Sequence, residues 1–250
     1  MRFDGVFFDS GGTLFGAAGG DDPTPGEVWD GRIERLGATI GEYGLRANAA
    51  TLRAAVLKCE DQCQRRLRAS YNFFRLMTAV LDELGLNLGP EVAACLADAY
   101  AGPRYASWLF AGTKQVLGRL SRAGLRLGLI ANTAWPGFCL DRALTGVGLL
   151  DLLPTRLYSG DLGIAKPDVR IFRLAERLSG VSGTKMLYVG NDLEADIKGA
   201  ARAGWSTAMR RPTSPPGRET PAPGDTAPSA SGGLADFEFD HTQQLLEFVL

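Results

Sequence analysis

Short apolar, β-rich runs alternate with helical patterns along this chain, and that alternation constrains the fold more than any other feature of it. The runs are Val6–Phe8, Leu125–Ile130, Arg156–Ser159, Met186–Val189, Ser206–Met209 and Phe237–Phe239, and the helical patterns fall at roughly 112–123, 137–147, 168–179, 194–203 and 241–250. Strands separated by helices imply right-handed crossovers and a parallel α/β sheet. Such a sheet takes its ligand beyond the carboxyl ends of its strands. Polar residues gather at those ends: Asp9 after the first run, Asn132 after the second, Lys166 beyond the third, and Asn191 with Asp192 after the fourth.

The stretch 16–110 breaks the alternation and reads as helices alone, so it is expected to be an insertion, with 1–15 and 111–250 forming the α/β core. Thr24-Pro25-Gly26-Glu27 has the form of a capping box with proline at the first helical position, and Asn48 and Pro90 are further helix starts. An insertion placed directly after the first strand is positioned to close over the site as a lid. Segment 211–233 is dominated by proline, serine, threonine, glycine and alanine; it cannot offset its ordering entropy by burial and is expected to be a flexible loop. The alternation of Asp236-Phe237-Glu238-Phe239-Asp240 then predicts an edge strand.

A chain of 250 residues buries a full core with room for such an insertion. Its 27 basic and 28 acidic residues are mixed along the length, leaving no electrostatic footprint for nucleic acid or an anionic membrane. No stretch approaches the roughly eighteen apolar residues of a spanning helix. A cytoplasmic protein acting on a small molecule is the expectation, with oligomeric state left open. Cys59, Cys63, Cys95 and Cys139 fit neither a redox pair nor a secreted scaffold. Cys59 and Cys63 share a helix face, but two ligands do not make a zinc site, and the thiols are expected to be buried and structural.

Three segments carry chemistry. In Phe7-Phe8-Asp9-Ser10-Gly11-Gly12-Thr13-Leu14 a strand delivers a carboxylate into a glycine-rich turn, where the backbone approaches a bound group closely and free amides form a nest for an anion. Asp9 would then face a phosphate, with Gly12 and Thr13 lining it. In Gly163-Ile164-Ala165-Lys166-Pro167-Asp168 a lysine precedes a helix start, where its charge can neutralise a nucleophilic carboxylate and a transferring group. In Tyr188-Val189-Gly190-Asn191-Asp192-Leu193-Glu194-Ala195-Asp196 oxygen ligands suited to Mg²⁺ run from strand into helix. Each segment alone also has an ordinary reading: Asp9 as a turn residue, Lys166 as a surface lysine, Asp192 as an N-cap and Asp196 as a first-turn acid.

Together and in this order, the three segments resemble the haloacid dehalogenase superfamily, whose signature is a strand ending DxDxT, a strand ending in Ser or Thr, a lysine, and a strand followed by paired acids. The resemblance extends to KPD…IF at Lys166 to Phe172 and GA…AG at Gly199 to Gly204. It implies a Rossmann-like parallel core with a helical type 1 cap, a first aspartate that attacks phosphorus, and an aspartyl-phosphate that water then hydrolyses. On that resemblance Asp9 is the nucleophile and Lys166 the charge-stabilising lysine; Asp9, Gly11, Asn191, Asp192 and Asp196 are the Mg²⁺ candidates, and Gly12, Thr13, Asn132 and Thr133 the substrate-binding candidates.

The chain also departs from the pattern. Gly11 stands where the family's phosphatases carry a second aspartate, their general acid and base, a role typically worth about 10²–10⁴-fold; its carbonyl can still serve a cation. Ala131 replaces the hydroxyl residue before Asn132, with Thr133 a substitute, and Asn191 takes the place of the first acid of the last segment. The reading these features favour is a Mg²⁺-dependent phosphatase for a small phosphorylated metabolite. The alternatives are carbon–halogen or carbon–phosphorus hydrolysis, and a binding or regulatory protein on the same fold. Trp29, Arg32, Arg35, Tyr71 and Arg75 are the candidates to meet the substrate from the insertion, whereas Arg65, Arg66 and Arg68 read as a solvated helix face.

Overall fold

The structure, a computed structural model, describes residues 2–16, 25–103, 108–211 and 231–250. Its sheet contains β1 (Gly5–Phe8), β2 (Arg126–Ala131), β3 (Thr155–Tyr158), β4 (Met186–Gly190), β5 (Ser206–Arg210) and β6 (Phe237–Phe239) in the order β3-β2-β1-β4-β5-β6. Every pairing is parallel. The strand order reverses direction at β1, with β2 on one side and β4 on the other, and the crevice beyond that switch point is where ligands bind in sheets of this kind.

The short strands are buried on both faces, as parallel strands with helical crossovers must be. Alternate side chains separate into two cores. Val6, Phe8, Leu127, Leu129, Leu187 and Val189 meet α5 (Thr113–Arg122), α6 (Gly137–Gly146) and α10 (Gln244–Val249). Phe7, Ile130, Leu157, Met186 and Tyr188 meet α8 (Val169–Ser179) and α9 (Gly199–Arg202). The short helix α7 (Ser159–Leu162), which the periodicity does not announce, follows β3 directly. The predicted helix over 194–203 is in fact a π-helical turn, Leu193–Lys198, leading into α9; such wide turns cluster at functional sites.

Between β1 and β2 stand α1 (Pro25–Glu42), α2 (Ala49–Leu67), α3 (Phe73–Glu83) and α4 (Pro90–Ala101). They enclose their own apolar cluster around Leu36, Ile40, Val56, Leu76, Met77, Leu96 and Tyr100, to which the core lends Cys139. Asn48 caps α2 by accepting from the amide of Ala50, and Pro90 opens α4. The Thr24 cap and most of the 211–233 loop lie outside the described residues. Where the chain leaves the sheet and where it returns, the strands run side by side: Gly16 donates to Trp108 O at 2.9 Å and Phe110 donates to Leu14 O at 3.1 Å.

Of the four thiols, Cys59 and Cys139 are buried as expected, while Cys63 is half-buried and Cys95 exposed. The buried stripe of α4 runs through Val92, Ala93, Leu96 and Tyr100 and leaves Cys95 outside it. Arg65 pairs with Asp61 on an exposed face. Among the described residues no helix is long and apolar enough to cross a membrane.

Sheet packing depends on one close approach. Phe7 and Gly128 are opposite each other on β1 and β2, and a Cβ on Gly128 would lie 2.2 Å from Phe7 Cε1. Gly128→Ala should therefore destabilise the fold by about 1–3 kcal/mol through overpacking, seen as a lower urea midpoint with an unchanged slope. Stability at or above wild type would show that the Phe7 ring is free to yield.

Candidate active site

Asp9 follows β1 and is held in place by its amide, which donates to Val189 O on β4 at 2.9 Å. The turn beyond it folds on Ser10, whose carbonyl accepts from the amides of Leu14 at 2.9 Å and Phe15 at 3.0 Å. Gly12 takes φ +80°, and a Cβ there would collide with the Asn191 amide at 2.4 Å, so the position requires glycine on both counts. The second and third loops are joined by Asn132, whose amide donates to Lys166 O at 2.8 Å and accepts from Lys166 N at 2.9 Å.

That clamp places the Lys166 ammonium in the interior, where each of its three protons has an acceptor. Nζ lies 2.7 Å from Asp9 Oδ1, 2.7 Å from Asp196 Oδ1 and 2.7 Å from the Tyr188 hydroxyl. The Lys166 and Asp196 side chains are 1% and 2% exposed, whereas Asp9 keeps 13% and is the member of the cluster that opens towards a ligand. Tyr188 passes its own proton to Ile130 O at 2.9 Å. Burial pushes this phenol well above its ordinary pKa, and the charges of Asp196 and Asp9 push it the same way, so it stays a neutral hydroxyl. Burial also raises the Asp9 carboxyl; the Lys166 charge opposes that shift and the Asp196 charge adds to it.

Asp196 is fully engaged. Its Oδ2 accepts from the amides of Asn191 and Asp192, both at 3.0 Å. The wide turn of Leu193–Lys198 is what carries this side chain back to the end of β4, and Gly190 must lack a side chain because a Cβ would lie 2.4 Å from Asp196 Cβ. Asp192 is exposed, and its Oδ1 accepts from the amides of Glu194 at 2.8 Å and Ala195 at 2.7 Å, the geometry of a helix N-cap. Both acids thus serve the turn itself, Asp196 by joining it to Lys166 and Asp192 by capping it.

Asp9, Gly11 and Asn191, in contrast, converge. One terminal atom of the Asn191 amide lies 2.9 Å from Gly11 O, 3.1 Å from Thr13 Oγ1 and 3.3 Å from Asp9 Oδ2. With nitrogen there, its two N–H groups have all three acceptors within reach. With oxygen there, three oxygens stand near the about 2.9 Å edge of an octahedron whose Mg–O bonds are roughly 2.0–2.1 Å. The donor set fits Mg²⁺ in this second orientation, with one carboxylate, a backbone carbonyl and an amide, the remaining positions falling to water and substrate oxygens. Among the described residues no three acidic, histidine or cysteine side chains converge on a metal position.

The substrate-binding candidates are placed less simply. Thr13 is buried with its hydroxyl on Asn191, and the Gly12 amide is tied to Phe15 O at 2.6 Å. Thr133 accepts from Trp135 N at 2.9 Å through its hydroxyl, while its amide donates to Ser159 Oγ at 2.9 Å. The side chains of Asn132 and Thr133 thus hold neighbouring loops together, with Asn132 exposed and Thr133 half-buried.

Two participants escaped the sequence. Tyr188 is hidden as one apolar-looking position of a buried strand. Asn72, at the start of α3, donates to Gly160 O at 3.2 Å and Asp161 Oδ1 at 3.0 Å, and beside it Phe73 N donates to Ala134 O at 2.8 Å. These bonds fasten the helical insertion onto the loops after β2 and β3. Of the insertion's candidates, Trp29, Arg32 and Tyr71 join an aromatic group with Phe73 and Tyr100, Arg35 is tied to Ala99 O at 2.7 Å, and Arg75 is exposed.

Comparison with known proteins points the same way. The profile of the haloacid dehalogenase-like hydrolases matches residues 3–204. The chain is 34% identical over 145 residues to a phosphoserine phosphatase of Thermus thermophilus, covering 56% of this chain and 57% of that protein, so it spans little more than half the length of that relative. It is 28% identical over 181 residues to a glyceraldehyde 3-phosphate phosphatase of Methanopyrus kandleri, covering 71% and 72% of the two chains. Its fold superposes on a 2-haloacid dehalogenase from Pseudomonas syringae pv. Tomato with a TM-score of 0.58 at 24% identity, over 98% of this chain and 97% of the other. With the profile spanning β1 to the glycine after α9 and the loops converging on Asp9, this chain belongs to the haloacid dehalogenase-like hydrolases.

Proposed function

We propose that the chain is a Mg²⁺-dependent hydrolase of small phosphoric monoesters, with Asp9 as its nucleophile. The observation that carries this reading is the division of labour between the two oxygens of one carboxylate: Oδ1 is fixed by the Lys166 ammonium, and Oδ2 lies 3.3 Å from an Asn191 amide atom that also stands 2.9 Å from Gly11 O.

In this reading Asp9 attacks phosphorus and the ester P–O bond breaks with its electron pair on the departing oxygen, which leaves as the alkoxide or phenolate and takes its proton from solvent, as the aspartyl-phosphate forms; water then attacks phosphorus, gives up a proton to solvent, and releases phosphate and the Asp9 carboxylate. Lys166 remains charged throughout and offsets negative charge beside the reacting group. Asp196 and Tyr188 hold that ammonium in place without touching the substrate. Mg²⁺, held by Asp9, Gly11 and Asn191, would supply further neutralisation of the phosphoryl oxygens. Because Gly11 offers no acidic proton, esters with good leaving groups should be turned over best, and alkyl esters should depend on a proton of their own.

A second reading, metal-independent attack of Asp9 on carbon, is favoured by one observation: with its nitrogen turned inward, the Asn191 amide satisfies Gly11 O, Thr13 Oγ1 and Asp9 Oδ2 with no cation. Release of halide from 2-haloacids in the presence of a chelator would replace the phosphatase reading with this one.

Hydrolysis of p-nitrophenyl phosphate tests the first reading, since its leaving group needs no acid. Turnover should require Mg²⁺ and fall by at least about 10³-fold in Asp9→Asn, as loss of a covalent nucleophile demands; undiminished turnover in that variant would end the proposal. Lys166→Met should lose about 10²–10³-fold in kcat and, by leaving two buried carboxylates without their cation, about 3–5 kcal/mol of stability, measured by urea denaturation. Asn191→Asp adds a charge at the cation position, so the Mg²⁺ concentration for half-maximal protection against heat should fall about tenfold, a change of about 1.4 kcal/mol. Equal protection in both proteins would place the cation elsewhere.

A further inference from the structure

Arg210, the last residue of β5, is a cation enclosed without a counter-charge. It is 4% exposed, and among the described residues no acid forms an ion pair with it. Asp240, the acid whose charge acts on it, is engaged by Arg211 at 2.9 Å. Burial pushes the Arg210 guanidinium down to about 10, so it stays charged at neutral pH. Its Nε is buried with no hydrogen-bond partner. An unpaired buried charge is costly, and an apolar side chain of similar volume fills such a place without that penalty.

What the guanidinium adds is a flat face and a donor edge. Its central carbon lies 3.5 Å from the ring centre of Phe110, the separation of two planes in contact, and 5.8 Å from that of Phe239. Nη1 donates to Thr242 Oγ1 at 3.0 Å, just before α10. That bond fixes the guanidinium, and the guanidinium covers the ring. The adjoining Gln243 lies against Gly112, where a Cβ would come within 2.4 Å of its Nε2. The segment before α10 therefore braces residues 110–112 at two points, once directly and once through Arg210.

Phe110 is where the chain returns from the insertion, and it is bonded to the chain that leaves. Its amide donates to Leu14 O at 3.1 Å, Phe15 bridges to Leu109, and a Cβ on Gly16 would lie 2.3 Å from Phe110 Cζ. Leu14 and Phe15 in turn close the turn that follows Asp9: both of their amides donate to Ser10 O, and Gly12 N donates to Phe15 O. Arg210 thus reaches the Asp9 turn through one aromatic ring, from a strand two places away from β1 in the sheet.

We infer that Arg210 is a positioning residue: by clamping Phe110 it holds in register the turn that carries Asp9. The inference rests on Asp9 as nucleophile for its effect on turnover but not for the clamp itself. Arg210→Met keeps the bulk and removes both the plane and the charge. Its melting temperature should match or exceed that of wild type, because the unpaired cation is gone. Its kcat for p-nitrophenyl phosphate with Mg²⁺ should fall by at least about fivefold with KM within about twofold, as misplacement of a reacting group demands. Native-state hydrogen exchange followed by NMR should show the amides of Gly12, Gly16 and Phe110 exchanging at least about tenfold faster, with those of β2 and β4 unchanged. Arg210→Lys, which keeps the charge but not the plane, should lose as much kcat as Arg210→Met. Phe110→Leu removes the ring instead, and adding Arg210→Met to it should lose no further activity, since both act through one contact. Faster exchange confined to these amides, with no ester hydrolysis by wild type, would keep the clamp and overturn the phosphatase reading. Wild-type exchange in Arg210→Met, rescue of kcat by Arg210→Lys, or multiplied losses in the double variant would overturn the clamp. A lowered melting temperature with faster exchange across the whole sheet would overturn it too, as the mark of a merely structural role.

Discussion

A single buried ammonium group organises this protein. Lys166 brings three distant pieces of chain to one point: the end of β1 through Asp9, the interior of β4 through Tyr188, and the wide turn after β4 through Asp196. A lysine so deeply buried is tolerable only because all three protons have acceptors and two of those acceptors are charged. The same bonds leave Asp9 with one oxygen immobilised and one available. Two carboxylates against one ammonium also leave a single negative charge in the cluster, and the available Asp9 oxygen is where a substrate or cation meets it.

The neutral residues around that charge set the character of the site. An aspartate at position 191 would add a second uncompensated charge and demand a divalent cation; asparagine can instead turn a hydrogen-bond donor inward. On the proposed Mg²⁺ reading, cation occupancy would hinge on an amide rotation whose two outcomes differ by hydrogen bonds to Gly11 O, Thr13 Oγ1 and Asp9 Oδ2. Gly11 makes a parallel concession at the leaving-group side, keeping the carbonyl while giving up the acid. On the proposed reading both changes weaken proton and metal chemistry while leaving the three hydrogen bonds of Lys166 in place.

The layers of the fold were legible because parallel strands announce themselves: short apolar runs, punctuated by helices, give five of the six strands within about two residues, and the sixth from its alternation. Asp9 and Lys166 could be read because glycine and proline mark the loops that carry them. Asp192 and Asp196 could not be separated by inspection. Both are acids near the start of a helix, and which one caps it and which turns inward is decided by the extra residue of a π-helical turn, a feature with no local signature. Asn132 and Thr133 looked like ligands because they end a strand, but end-of-strand polar groups also hold neighbouring loops together. Tyr188 and Asn72 act through partners that are 22 and 88 residues away, separations across which periodicity carries no information.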